Sequence, residues 1–370
     1  MFETVLLIFA ALLAWAYVFL ILYILRIWNS QKEFLSSDIG VHSDIKLSIL
    51  MAARNEAKNI AACLDSILSN ENVPEVLIVN DHSEDNTVEI VGQYSSRGVR
   101  LLNLPEGSGG KKSALSYGLS HCSGDYVLQL DADVLVPADY INTLKNFIAD
   151  TEADFIAAPV EIGSDGSLLE SFQMLDYAGM MMVTQAGIVS GSWHIANGAN
   201  MIYKRDMMKF EDNGMASGDD VFGIQYIRQQ GGKLAFLKSK DCIARTQAIS
   251  EFSELYQQRL RWSTKNKHMP GAKMLLMMST VFAAHVMIFV YLALVIFSEN
   301  TIFVNLLLHH TVLIFLIDYI LLKTADRFFN LKEGMSSYLA AKSMHAIYIS
   351  AIGILGIFVK NYDWKGRSLR

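Results

Sequence analysis

Two aspartates one residue apart, Asp131 and Asp133, directly follow the apolar run Tyr126-Val127-Leu128-Gln129-Leu130. Carboxylates at that spacing suit a hard divalent cation, Mg2+ or Mn2+, which takes oxygen ligands and shares substrate phosphates. Most such pairs are exposed turns; the buried-strand pattern ahead of this one favours a site. Gly107-Ser108-Gly109-Gly110 runs into Lys111 and Lys112. A Gly-rich turn opening a helix with Lys suits an anion, although its spacing is not that of a Walker A loop; a solvated surface loop is the alternative. Ser217-Gly218-Asp219-Asp220 opens a helical stretch that runs to about Gln230. One of its acids suits a general base for an acceptor hydroxyl; equally, Ser217 or Asp219 suits a helix cap. Gln258, Arg261 and Trp262 end an amphipathic helix that begins near Glu251. Arg261 suits a phosphate, and Trp262 a sugar face or a membrane interface; an ordinary helix preceding the membrane is the alternative.

The elements that must position these residues alternate from residue 46 onward. Leu47–Ala53, Glu75–Val79, Arg100–Leu104, Tyr126–Leu130 and Asp154–Pro159 read as strands. Glu56–Ser69, Glu84–Tyr94, 111–121 and 138–149 read as helices. That order predicts βαβ units and a mostly parallel sheet, with ligands outside the carboxyl ends of the strands. The residues standing there are Arg54, Asn55 and Glu56, then Asn80 and Asp81, then Asp131 and Asp133. A core would not select these polar groups.

Apolar residues make up 52% of the 370-residue chain and charged residues 18%, greasier than a soluble domain, and the excess lies at the two ends. The net charge of −6 gives no nucleic-acid footprint. Residues 4–25 are apolar and uncharged. A helix of that length spans about 33 Å, enough to cross a bilayer, and it is too long for a cleaved leader. Arg26 and Lys32 follow it, which places the middle of the chain in the cytoplasm, as expected for a multi-pass protein of the cell inner membrane. Further apolar stretches cover 274–297, 301–322 and 337–359. Glu299 and Asn300 suit an external link, whereas Lys323, Arg327 and Lys332, and the tail residues Lys360, Lys365, Arg367 and Arg370, all suit the inside. These assignments conflict if 337–359 is a full span. With Lys342 and His345 in its first half, that stretch reads as re-entrant or interfacial. His285, His309, His310 and Asp318 read as packing groups near helix ends or helix contacts. Cys63, Cys122 and Cys242 form no metal spacing and read as buried apolar residues in a reducing compartment. The expected domains are 1–28, 45–268 and 272–370.

In this order the segments resemble the family 2 glycosyltransferases, over about residues 46–265. Ser48 to Glu56 is similar to the family's opening strand and nucleotide-contacting turn. Asn80-Asp81-His82-Ser83 resembles its base-contacting motif, Gly110-Lys111 its Gly-Lys helix start, and Asp131-Ala132-Asp133 its metal motif. Gly198-Ala199-Asn200-Met201 resembles the strand beside the donor sugar, Gly218-Asp219-Asp220 its Glu-Asp pair, and Gln258, Arg261 and Trp262 its Q-x-x-R-W motif. Ala52, Asn80, His82 and Asp219 depart from the family's Pro, acid, Gly and Glu.

The resemblance implies a GT-A fold, a Rossmann-like mixed α/β sheet flanked by transmembrane helices. It also implies inverting transfer from a nucleotide-sugar donor, a UDP-sugar by the habit of the membrane members. Asp133 and Asp131 would hold the metal, Asp220 would be the base with Asp219 beside it, and Arg54, Glu56, Asp81, Lys111, Asp131, Asn200, Gln258, Arg261 and Trp262 would bind substrate. Trp364-Lys365-Gly366-Arg367 resembles a tail motif of lipid-modifying members, which points to a lipid or lipid-linked acceptor, with a processive polysaccharide synthase as the alternative. A sugar nucleotidyltransferase shares the α/β layout but needs no membrane anchor. A transporter would hold its polar groups at the membrane midplane.

Overall fold

The computed structural model describes residues 2–35, 44–164, 166–210, 218–264, 271–298, 300–358, 362–364 and 367–369. Ser217, Glu299, Lys360, Lys365, Gly366 and Arg370 lie outside the described residues. In chain order the elements are α1 (Phe2–Ser30), β1 (Leu47–Ala53), α2 (Ile60–Leu68), β2 (Glu75–Asn80), α3 (Thr87–Gly92), β3 (Val99–Asn103), α4 (Lys111–Leu119), β4 (Tyr126–Leu130) and α5 (Tyr140–Thr151). Then come β5 (Phe155–Ala157), β6 (Val160–Gly163), α6 (Leu168–Ser190), β7 (Asn200–Lys204), α7 (Asp219–Gln229), β8 (Leu234–Phe236) and β9 (Ala244–Gln247). α8 (Phe252–Thr264), α9 (Ala272–Phe297), α10 (Ile302–Phe329), α11 (Lys332–Ser336) and α12 (Tyr338–Phe358) follow, and a short hairpin of β10 (Tyr362–Trp364) and β11 (Arg367–Leu369) ends the series.

These elements form two compact units that do not follow the chain in sequence. One comprises Gln31–Gly163, Gly187–Gln247 and Asn361–Arg370; the other comprises Met1–Ser30, Ser164–Ala186 and Ala248–Lys360. Most of α6 and all of α8 group with the apolar helices.

The first unit is built on a seven-stranded sheet of order β3-β2-β1-β4-β7-β5-β8. β3, β2, β1 and β4 are parallel, whereas β7 runs antiparallel to both β4 and β5. β1, β2 and β4 are buried on both faces, which is why they read as near-continuous apolar runs. Ile60, Cys63, Leu64 and Ile67 are the buried face of α2. Gly118 of α4 sits so close to the sheet that a Cβ there would lie 2.3 Å from Leu50 and 2.8 Å from Val79. All three cysteines are buried and free.

Two helices are shorter than the periodicity predicts. α2 starts at Ile60 and not Glu56, and α3 covers only the centre of Glu84–Tyr94. Side-chain bonds to the backbone compete with helix at both places. The Thr87 hydroxyl accepts from the Glu56 amide at 2.8 Å, Asp85 accepts from the Ala57 and Thr87 amides, and Asn55 turns with φ 52°.

Among the described residues, the second unit holds four helices long and apolar enough to cross a membrane, within Ala11–Ser30, Ala272–Phe297, Ile302–Phe329 and Tyr338–Gly356. α12 is one unbroken helix over Tyr338–Phe358, long and apolar enough to cross a membrane. It packs along α8: Tyr348 lies 5.3 Å from the Arg259 guanidinium, and Gly356 abuts Ser263. Its polar first half has a physical reason, because its charges meet partners on other helices. Lys342 pairs with Asp318, which also accepts from the Tyr17 hydroxyl at 2.7 Å. Lys342 donates to His285 Nε2 at 2.7 Å, and His285 Nδ1–H donates to the Val281 carbonyl. His345 reaches Asp176 at 3.4 Å. His285, His310 and Asp318 are therefore buried helix-contact groups, and His309 is exposed.

Arg259, one residue into the Q-x-x-R-W segment and unnoticed in the sequence, is 1% exposed. It faces Asp176 at 2.7 Å, without hydrogen-bond alignment, and lies 4.4 Å from the Trp262 ring. Burial alone would raise the Asp176 pKa, but Arg259 and His345 hold it below the ordinary carboxylate value. Asp176→Leu would leave the Arg259 charge buried alone and is expected to lower stability by about 3–5 kcal/mol. Melting in detergent checks this, with Asp176→Leu/Arg259→Met recovering most of the loss. Because the Asp176 pKa is depressed, its contribution is complete above about pH 3.9, the unfolded value, and disappears as pH falls through the lower folded value.

Candidate active site

The carboxyl ends of β1, β2 and β4 face one edge because the three strands are parallel. At the end of β4, Lys111 Nζ lies 2.6 Å from Asp131 and 3.4 Å from Asp219. Burial alone would lower the Lys111 pKa, yet the Asp131 and Asp219 carboxylates raise it, so it stays charged. The lysine arrives there because Gly110, with φ 94°, turns the chain directly into α4. The Gly110 amide also donates to Asp81 at 3.0 Å, which ties the Gly-rich turn to the end of β2.

Asp133 accepts from the Thr246 hydroxyl at 3.2 Å. Burial, then the neighbouring Asp131 and Glu56 carboxylates, push its pKa up to about 6. That electrostatic cost is one a cation would offset. Among the described residues no cluster of three or more His, Cys, Asp or Glu is arranged to hold a metal alone. One or two carboxylates with open positions fit Mg2+ or Mn2+ when phosphate oxygens complete the shell. Of the two acids, Asp131 already carries Lys111 as its partner, and Asp133 has no cationic one in the described ion pairs.

Other expected substrate contacts have structural partners. Arg54 donates to the Asp81 and His82 carbonyls, both at 2.9 Å, and pairs with exposed Glu84 at 3.2 Å. It locks the ends of β1 and β2 together. His82 occupies φ 53° where the family has Gly, and its ring meets the Ser108 carbonyl at 2.9 Å. Glu56 accepts from Asn59 at 3.4 Å. Asn200 is fully buried: it donates to the Pro159 and Cys242 carbonyls and accepts from Tyr140. Its side chain is committed to the scaffold.

Asp219 and Asp220 open α7 but face differently. Asp219 is 4% exposed, and Asp220 is half-buried with an oxygen on the Val221 amide at 2.8 Å. Gln258, Arg261 and Trp262 lie on α8, in the other unit. Sequence reasoning passed over Gln129 and Thr246. A glutamine inside an otherwise apolar strand, one residue before Leu130-Asp131, was the available signal for the first.

Residues 48–210 match the model of glycosyl transferase family 2. Poly-beta-1,6-N-acetyl-D-glucosamine synthase of Staphylococcus aureus is 24% identical over 233 residues, 61% of this chain and 56% of that protein. Its Staphylococcus epidermidis counterpart is 28% identical over 167 residues, 44% and 40% of the two chains. The match thus spans about half the length of these relatives. A mannosyltransferase from Pyrobaculum calidifontis, solved with GDP-Man and Mn2+, superposes with a TM-score of 0.52 at 18% identity, covering 94% of this chain and 98% of that one. That likeness establishes the GT-A fold. With the sheet order and the family match together, the segment 48–210 is similar to glycosyl transferase family 2.

Proposed function

We propose that the protein transfers a sugar from a UDP-sugar to a hydroxyl of a lipid or lipid-linked acceptor, inverting the anomeric carbon. The observation carrying this reading is the gathering of Lys111, Asp131, Asp133, Asp219 and Asp220 at the carboxyl edge of one sheet. Asp133, assisted by Asp131, would hold Mg2+ or Mn2+, which when bound supplies positive charge against the donor diphosphate. Arg54 and Asp81 shape the nucleotide end, and Lys111 adds a fixed cation beside the diphosphate. Asp220 takes the proton of the attacking hydroxyl. The hydroxyl oxygen bonds to the anomeric carbon as the bond to the nucleoside diphosphate breaks on the opposite face. On the strength of the family resemblance, Gln258, Arg261 and Trp262 of α8 are assigned to substrate binding. The catalytic unit lies on the cytoplasmic side in this reading, since Arg26 and Lys32 follow the apolar run 4–25.

A second reading, a processive polysaccharide synthase, is favoured by the names of the Staphylococcus relatives. It also makes UDP-N-acetylglucosamine the first donor to try. Membranes containing the full chain would be incubated with labelled UDP-N-acetylglucosamine and Mn2+, and separately with other labelled UDP-sugars and GDP-mannose. Label extracted into organic solvent supports the lipid reading. Label in a large water-soluble polymer, with none in lipid, rejects it for the polysaccharide reading. Label from GDP-mannose alone rejects the UDP-sugar.

A further inference from the structure

Gln129 is the fourth residue of the central strand β4 and is fully buried between Leu128 and Leu130. An amide in that position is unfavourable unless its polar atoms are paired. They are paired, and the partners converge on the catalytic edge. Nε2 donates to Asp219 at 2.7 Å and to the Gly198 carbonyl at 3.2 Å, while Oε1 accepts from the Tyr203 hydroxyl at 3.3 Å. Asp219 has Lys111 as its second partner at 3.4 Å. Gly198 leaves the room for this junction: a Cβ there would lie 2.8 Å from Asp219 Oδ2, 3.2 Å from Lys111 Nζ and 3.6 Å from Gln129 Nε2.

We infer that Gln129 is a positioning residue for the transfer reaction, and that it anchors Asp219 so that α7 presents Asp220, not Asp219, to the acceptor. Consecutive helical residues are turned about 100° apart. Pinning the first residue of α7 inward therefore sets where the second one points. Asp219 is a carboxylate one methylene shorter than the glutamate the family carries there, and the Gln129 amide reaches across the gap from the strand. An anchored Asp219 has both a cation and an amide donor on its carboxylate, which suits a fixed anion and not a group that must accept a proton in each turnover.

The inference rests on the glycosyl-transfer reading, with Asp220 as base. The test uses the full chain in detergent with UDP-N-acetylglucosamine and Mn2+, and compares Gln129→Leu, Asp219→Asn and the swap Gln129→Glu/Asp219→Asn. The swap reverses donor and acceptor across the same contact and keeps one negative charge beside Lys111. Gln129→Leu and Asp219→Asn are each expected to lower kcat by about ten- to a hundredfold, with the donor KM within about twofold. The swap is expected to recover most of the loss, a non-additivity that a general loss of folding would not produce. Wild-type kcat in Gln129→Leu would overturn the inference, as would a swap no better than Asp219→Asn alone. If the wild-type chain turns over no UDP-N-acetylglucosamine, it is the donor assignment that fails. Amide hydrogen exchange across 219–229 then decides the anchoring: faster in Gln129→Leu and restored in the swap, or unchanged in Gln129→Leu, which rejects it.

Discussion

Asp220→Asn is expected to lower kcat by about 10²–10⁴, the range for losing a positioned general base. The asparagine keeps an oxygen for the Val221 amide, which Asp220 now accepts at 2.8 Å, so the first turn of α7 is preserved. What it removes is the ability to take a proton. Donor binding should be unchanged within about twofold, because the lost interaction belongs to the transition state and not to the ground state. Single-turnover rates with saturating labelled donor, beside equilibrium binding of the nucleoside diphosphate, separate the two. Near-normal turnover in Asp220→Asn would reject the base assignment. The contrast with Asp219 is useful: if both variants are equally slow and the Gln129→Glu/Asp219→Asn swap recovers only the second, the adjacent acids have different roles.

Asp133→Ala is expected to slow turnover by about 10²–10³, the equivalent of several kcal/mol of charge stabilisation at the departing diphosphate. Added Mn2+ at millimolar concentration should fail to restore the rate. Stability should not fall, since burial and the Asp131 and Glu56 carboxylates make the ionised Asp133 side chain unfavourable where it stands. A melting temperature at or above wild type, together with lost Mn2+-dependent activity, is the expected pair of results. Full activity with unchanged Mn2+ dependence would remove Asp133 from the metal site. Asp131→Ala should lose activity as well, but with a mixed signature, because it also frees Lys111 from its 2.6 Å ion pair.

Much of the α/β frame was legible in the sequence. β1, β2 and β4 lie where the apolar runs put them, since parallel strands buried on both faces leave a continuous apolar record. The ends of α2 and α3 were not legible, because single side-chain bonds from Thr87 and Asp85 decide them. The long helix α6 was missed altogether. It carries Asp176, whose partner Arg259 lies 83 positions later in the chain, and no local pattern announces such a pair.

The sequence by itself determined which residues stand at the strand ends, that Asp131 and Asp133 follow a buried strand, and that apolar helices flank the domain. These are local properties, carried by the order of residue types. Only the tertiary structure decided how the two aspartates differ: Asp131 is held by Lys111, and Asp133 lies among acids with a hydroxyl for company. Only it separated Asp219, anchored by Gln129, from Asp220 beside it. It also turned the polar residues of α12 from a sign of exposure into a buried network with Asp318, His285 and Asp176. The reason is common to all three. A side chain's charge state and direction depend on what lies within a few ångströms, and those neighbours come from distant parts of the chain.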